Sequence, residues 1–162
     1  MQVEIQSLNS THNRKQFDCG VQPLNNWFIN MAGQQHSKEL AKVFVAVDIS
    51  APNNPLGYYA LIATQVDGSE IPGKKLPNFV PAILLGRFAV DQHLQGKGLG
   101  KILLMNALER VAMISQNVGV MVVVVHAKDQ KAMSFYSRYG FASCPSDPLQ
   151  MFLPVDTIKN LL

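Results

Sequence analysis

Charge, cysteine and long apolar runs are all scarce in this sequence, and each scarcity removes a class of protein. Only 15% of the 162 residues are charged while 48% are apolar, which excludes a disordered or fibrous chain and predicts one compact domain spanning residues 1–162. The two cysteines, Cys19 and Cys144, lie far apart and share no metal-ligand spacing with the four histidines. They read as free thiols in a reducing compartment, with no metal site and no disulfide framework. The most apolar window, Val118 to Val125, is too short to cross a bilayer. The start, MQVEIQSLNS, lacks the basic and apolar regions of an export signal. These absences predict a cytoplasmic protein with no membrane partner. Internal repeats, low-complexity tracts and domain boundaries are missing as well.

Acid is the scarcest charge where it counts. Between Ile71 and Phe141 there are nine Lys/Arg but only three acids, Asp91, Glu109 and Asp129, so that span carries +6 of a chain whose total is +3. A basic half of this kind suits a polyanionic ligand or nucleic acid, and equally suits a solvated basic surface. No Asp or Glu occurs from Val80 to Ala89.

The apolar residues that are present set out a chain of elements. Gln2–Leu8 alternates as a half-buried strand does. From Pro23 onward, Leu24, Trp27, Phe28, Met31 and Ala32 fall at helical spacing and predict a core-facing stripe. Val43–Val47 and Leu56–Val66, separated by APNNP, predict a hairpin. A proline- and glycine-punctuated loop, Asp67–Asn78, carries the pair Lys74 and Lys75. Val80–Val90 reads as a strand buried on both faces, Leu99–Ile114 as an amphipathic helix, and Val118–His126 as a second buried strand. Together they predict a right-handed parallel crossover. Lys131–Tyr139 follows as a helix stopped by Gly140, and Phe141–Val155 supplies two short strands around CPSDP.

The stretch LGRFAVDQHLQGKGLG, Leu85 to Gly100, concentrates the chemistry. A strand runs into a polar turn, then Gln95, Gly96, Lys97 and Gly98 lead into a helix beginning at Leu99, Gly100 and Lys101. Glycine lets a backbone approach a ligand, and the first amides of a helix point at an anion in front of it, most naturally a phosphate. Glycines also precede helices for conformational reasons alone.

Gln95, Gly98 and Gly100 match the Gln/Arg-x-x-Gly-x-Gly/Ala loop of the GNAT acetyltransferases. The element order and the FYxxxGF ending, Phe135, Tyr136, Gly140 and Phe141, also resemble that family over nearly the whole chain. The resemblance implies an α/β GNAT fold: a mixed central sheet with splayed parallel strands, flanked by helices. It implies that Gln95 to Lys101 hold the pyrophosphate of acetyl-CoA, the acetyl donor, and that the backbone of Phe88, Ala89 and Val90 pairs with the pantetheine arm. Lys97 and Lys101 add positive charge there.

FDCGVQPLNNWF, PxxLLGRFAVD, VHAKDQKAMSFYSRYGF and MFLP narrow the likeness to GNAT toxins of toxin–antitoxin pairs. Those enzymes acetylate the amino group of charged tRNA and block translation. They form homodimers silenced by a ribbon-helix-helix antitoxin, through which the pair reaches DNA as a repressor. The resemblance makes Tyr136 the catalytic acid and places Arg87, Lys74 and Lys75 against tRNA.

Elementary acid–base chemistry is compatible with such a substrate. A lysine amine, of pKa about 10.4, needs a base to become nucleophilic, whereas an α-amine near about 8 is already partly free. The central strand offers no carboxylate, and Tyr136 is able to protonate the departing thiolate. A water chain or His126 remains available as a base. Read by itself, Tyr136 fits a core aromatic, His126 a structural histidine, Asp91 a cap of the strand end, and Trp27 and Phe28 packing. Arg87 differs, because a cation in an apolar run must find an anion or a polar space. The other readings are a housekeeping GNAT acting on a small amine or protein amino terminus, and a catalytically idle module gripping an antitoxin.

Overall fold

The APNNP stretch turns the chain back on itself: β2 (Lys42–Asp48) and β3 (Gly57–Val66) pair antiparallel from Lys42↔Leu61 to Ala46↔Gly57. β1 (Val3–Ser7) lies antiparallel on the other side of β2. The computed structural model describes residues 1–73 and 75–162, so Lys74 lies outside the described residues. The remaining elements are α1 (Gln22–Asn30), α2 (Ala32–Ser37), β4 (Val80–Val90), α3 (Leu99–Ser115), β5 (Val122–His126), α4 (Gln130–Arg138), β6 (Ala142–Cys144), β7 (Asp147–Pro154) and α5 (Val155–Leu161). The seven strands form one mixed sheet in the order β1-β2-β3-β4-β5-β7-β6.

By contact the chain divides into two compact units, Met1–Ile62 with Gly86–Ala107 and Ala63–Leu85 with Leu108–Leu162. In the first, the core gathers Phe17, Phe28, Val43, Val45, Val47, Tyr58, Ala60 and Ala89. The Tyr58 ring stacks on Phe28 at 4.2 Å, and its hydroxyl donates to the Leu24 carbonyl at 2.8 Å, so a polar atom enters this core already paired. Burial pushes that phenol's pKa upward. Gly57 is obligatory here: a Cβ would sit 2.8 Å from Leu103 Cδ1 and 2.9 Å from the Ala89 carbonyl oxygen.

The helical stripe expected from Pro23 holds except at Met31: Phe28 and Ala32 are buried, and Leu24 and Trp27 pack against the same cluster. α1 ends at Asn30, and Met31 is 38% exposed, not core. The Arg14 guanidinium donates to the Phe28 and Ile29 carbonyls at 2.7 and 3.2 Å. Those carbonyls are thereby satisfied from outside the helix. At Gly33 a Cβ would lie 2.8 Å from Arg14 Nη2, so glycine leaves room for the same side chain.

In the second unit, β4 and β5 run parallel, in register from Ala82↔Val122 to Leu85↔Val125. β4 continues five residues further, to Val90. β7 pairs antiparallel with β5, ending at His126↔Gln150, and β6 folds back on β7. Val122 to Val125 are all buried, and full burial of such a side chain contributes about 1.5–3 kcal/mol. The expected strand start at Val118 is corrected. Val118 is 61% exposed, and its N–H donates to the Ile114 carbonyl in the exit turn of α3. β-Branching alone does not make a strand when the helix turn claims the backbone. The C-terminal α5 was not anticipated; it is one short helix whose Val155 and Ile158 are buried.

The crossover helix α3 buries Leu99, Leu103, Ala107 and Val111 as their spacing predicts. α4 is capped at both ends. The Asp129 carboxylate accepts from the Ala132 N–H at 2.8 Å, and Gly140 takes φ 96°. The Phe141 N–H then donates to the Tyr136 carbonyl and the Gly140 N–H to Ser137, the paired bonds of a Schellman stop.

Candidate functional site

Beyond Leu85, the last residue paired with β5, β4 carries Arg87, Phe88, Ala89 and Val90 toward a loop that the next helix closes. Asp91, the first residue after β4, closes the strand end into the 3-10 turn Gln92–Leu94 by accepting from the His93 N–H at 2.8 Å. Gln95 is extended, and Gly96 and Gly98 take φ 78° and 90°, conformations that other residues adopt only at a cost. Beside both glycines a Cβ would meet nothing within 4 Å, so the loop faces open space. The Ile102 N–H donates to the Gly98 carbonyl, making Gly98 the last residue before α3. The amides of Leu99, Gly100 and Lys101 therefore occupy the first turn, where a helix offers them no acceptor. Lys97 and Lys101 are exposed beside them. A loop with exposed glycines, first-turn amides and two ammonium groups is suited to a phosphate.

The Gln95 side chain anchors the loop. Its side-chain amide donates to the Cys19 carbonyl at 2.9 Å and to the Val90 carbonyl at 3.0 Å, tying the loop down, while its backbone stays part of the loop. Arg87 has no anion. Its guanidinium carbon lies 5.3 Å from the centroid of Trp27, which in turn stacks on Tyr58. The cation is thus held over an aromatic face, exposed to solvent.

Tyr136 and Lys75 belong to the second unit, whereas Arg87, Phe88–Val90 and Gln95–Lys101 lie together in the first. Tyr136 is 7% exposed, packed between Phe135 and Phe141, and burial holds its phenol well above the usual pKa. Such a phenol stays protonated and able to donate at neutral pH. Lys75 is exposed, and Lys74 falls outside the described residues.

A further correction concerns His126. It is exposed, not a buried structural histidine, and lines a cavity of about 230 Å³ with Thr64, Gln65, Asp67, Glu70 and Gln150 around a floor of Leu84 and Val124. The two carboxylates come from the loop after β3, where sequence alone gave no sign that they would share a cavity with β5. Among the described residues no cluster of His, Cys, Asp and Glu is arranged to hold a metal ion, and Cys19 and Cys144 are buried free thiols. No helix among them is long and apolar enough to cross a membrane.

The family profile of the acetyltransferase (GNAT) domain matches residues 39–143, which takes in β4, the glycine loop, α3 and all of α4. The chain belongs to the GNAT acetyltransferases. As a GNAT enzyme it carries the expected mixed sheet, with its parallel pair ending before β4 does. It is 32% identical over 149 residues to a tRNA-acetylating toxin of Mycobacterium tuberculosis (strain ATCC 25618 / H37Rv), covering 90% of this chain and 88% of that protein. Among solved structures it resembles a tyrosine-to-phenylalanine mutant of KacT, with a TM-score of 0.94, 28% identity and all of both chains covered. It also resembles AtaT complexed with acetyl-methionyl-tRNAfMet, with a TM-score of 0.91, 28% identity and 99% of each chain covered.

Proposed function

We propose that this GNAT enzyme is a toxin that transfers the acetyl group of acetyl-CoA to the α-amino group of an aminoacyl-tRNA and so stops translation. The observation that carries the reading is the 32% identity to a tRNA-acetylating toxin across nine-tenths of the chain. The AtaT complex with an acetylated aminoacyl-tRNA supports the same acceptor class.

In this reading the backbone of Gln95, Gly96, Lys97, Gly98, Leu99, Gly100 and Lys101 holds the pyrophosphate, helped by the two lysine ammonium groups. The strand end Phe88, Ala89 and Val90 pairs with the pantetheine arm. The uncharged α-amine attacks the thioester carbonyl carbon, the carbon–sulfur bond breaks, Tyr136 gives its phenolic proton to the departing thiolate, and the proton lost by the acylated nitrogen passes to water, from which the phenolate is reprotonated. Arg87, with Lys74 and Lys75, binds tRNA phosphate. The guanidinium of Arg87 sits over Trp27 with the side chain exposed, which suits it to that task.

A toxin made by a growing cell has to be restrained, and a ribbon-helix-helix antitoxin is the partner the motifs imply. DNA and repression would then be reached only through that partner. The enzyme would act in the cytoplasm as a homodimer.

The direct test incubates the protein with radiolabelled acetyl-CoA and total charged tRNA, then identifies the acetylated amino acid. Label on an α-amino group of one aminoacyl-tRNA is expected. Label found only on small amines or protein amino termini, together with unimpaired growth on expression, overturns the toxin reading in favour of a housekeeping enzyme.

A further inference from the structure

The glycine loop is gripped at its strand-side end by a turn more than 70 residues earlier in the chain. Asn25, on α1, is only 5% exposed, and it spends both ends of its amide on that turn. Its Nδ2 donates to Asp18 Oδ1 at 2.9 Å, and its Oδ1 accepts from the Cys19 N–H at 2.9 Å. Asp18 Oδ1 also accepts from the Gly20 N–H at 2.9 Å, closing the turn at a glycine with φ 83°. Three bonds then cross to the loop. The Gln92 N–H donates to the Asp18 carbonyl at 2.9 Å, Gln92 Nε2 donates to Asp18 Oδ2 at 3.0 Å, and Gln95 Nε2 donates to the Cys19 carbonyl at 2.9 Å.

We propose that Asp18, Asn25 and Gln92 are positioning residues that hold the glycine loop in its cofactor-receiving shape; the inference rests on the acetyl-CoA site proposed above. Gly96 and Gly98 free the backbone to face a phosphate, and the same freedom lets the loop wander. A loop that has to be ordered by its ligand binds more weakly than one ordered beforehand. Gln92 and Gln95 flank the mobile-prone segment on its strand side, and α3 fixes the other side. Through Asn25 the turn is anchored in α1, whose Phe28 is fully buried, so the rigidity of that core is passed to the loop. The Gly20 N–H and the Asn25 amide hold the Asp18 carboxyl below the usual range, which keeps it an acceptor at neutral pH.

The chemistry of the link allows a reciprocal test. Asp18→Asn keeps an oxygen for Gly20 and Asn25 but turns an NH2 toward Gln92 Nε2, setting donor against donor. Adding Gln92→Glu restores one bond with donor and acceptor exchanged. Coenzyme A binding is measured by titration calorimetry, and KM for acetyl-CoA and kcat by steady-state kinetics. D18N is expected to weaken coenzyme A binding and raise KM about tenfold with kcat at saturation little changed, and D18N/Q92E to recover most of the loss. Gln92→Ala, on an exposed turn, cuts the same link and carries the same expectation should D18N fail to fold. Wild-type affinity, within about twofold, in both single variants overturns the inference while leaving the cofactor site standing. An equal loss in the exchanged double variant also overturns it. Wild-type protein that does not bind coenzyme A removes the site and the inference together.

Discussion

The ring of Phe141 lies 5.4 Å from that of Tyr136, and the Phe141 N–H donates to the Tyr136 carbonyl across 3.3 Å. The residue that ends α4 therefore also fixes the backbone from which the phenol projects. Because both bonds of that helix stop are main-chain, removing the hydroxyl should leave the helix in place. Tyr136→Phe is expected to lower kcat by about 10²-fold or more with a melting temperature close to wild type. Retained turnover in Y136F would transfer the acid's role to another group.

The same burial predicts the shape of the pH–rate profile. Tyr136 has its pKa raised, so it remains protonated well beyond neutrality, and the ascending limb belongs to the acceptor amine. With an α-amine of pKa about 8, kcat/KM should climb through about pH 8 and level off above about pH 9, with no fall before that plateau. A decline between pH 7 and 9 would mean that the essential proton sits on a more acidic group.

Much of this site is legible in the sequence because it is local. The bounds of β4, the start of α3 at Leu99 and the stop at Gly140 follow from apolar runs and glycines that need positive φ. What joins distant segments is not legible. Asn25 reads as one polar residue in an amphipathic helix, yet it is buried by two bonds to a turn seven residues back. Arg14 caps the last carbonyls of α1 from outside it, and the sequence has no periodicity that would reveal this. His126 closes an apolar run, and only the pairing of β5 with β7 shows that it faces a polar cavity.

Gly98→Ala separates the conformational from the binding role of the loop. With φ at 90° the added methyl strains the backbone, although it meets no atom within 4 Å. Stability should fall by only about 1 kcal/mol. Coenzyme A affinity should fall by about tenfold or more, because the amides can no longer hold the same geometry. Calorimetry and thermal melting on the same sample distinguish the two, and an unchanged affinity would place the phosphate elsewhere.

Acid should loosen the first unit through its two partly buried histidines. Nδ1 of His12 accepts from the Asn9 N–H, and Nδ1 of His36 accepts from the Val43 N–H at 2.9 Å, so each ring is bonded in its neutral form. Burial lowers both pKa values from the usual 6.5. A histidine depressed in the fold takes up its proton more readily when unfolded. Its contribution is therefore complete above pH 6.5 and is lost as pH falls through the folded value. The melting temperature should drop between pH 7 and pH 5, and replacing both histidines with Asn, which retains an acceptor near Nδ1, should flatten the slope. An equal slope in that double variant would assign the acid sensitivity to the carboxylates instead.

Arg87 offers a test of the nucleic-acid face that leaves the cofactor alone. Its guanidinium rests on Trp27 at 5.3 Å, a geometry that a lysine ammonium cannot reproduce as a flat, forked donor. Arg87→Ala should weaken binding of charged tRNA and reduce the slope of log affinity against log salt by about 0.7–0.9, the share of one phosphate. Arg87→Lys should keep most of the salt slope, since the charge remains, yet bind less tightly than wild type. Trp27→Leu should act in the same direction as Arg87→Lys, because it removes the surface that orients the fork without removing the charge. KM for acetyl-CoA should hold steady in all three. If instead that KM rises and tRNA affinity does not move, Arg87 serves the cofactor and the tRNA must be gripped by other cations.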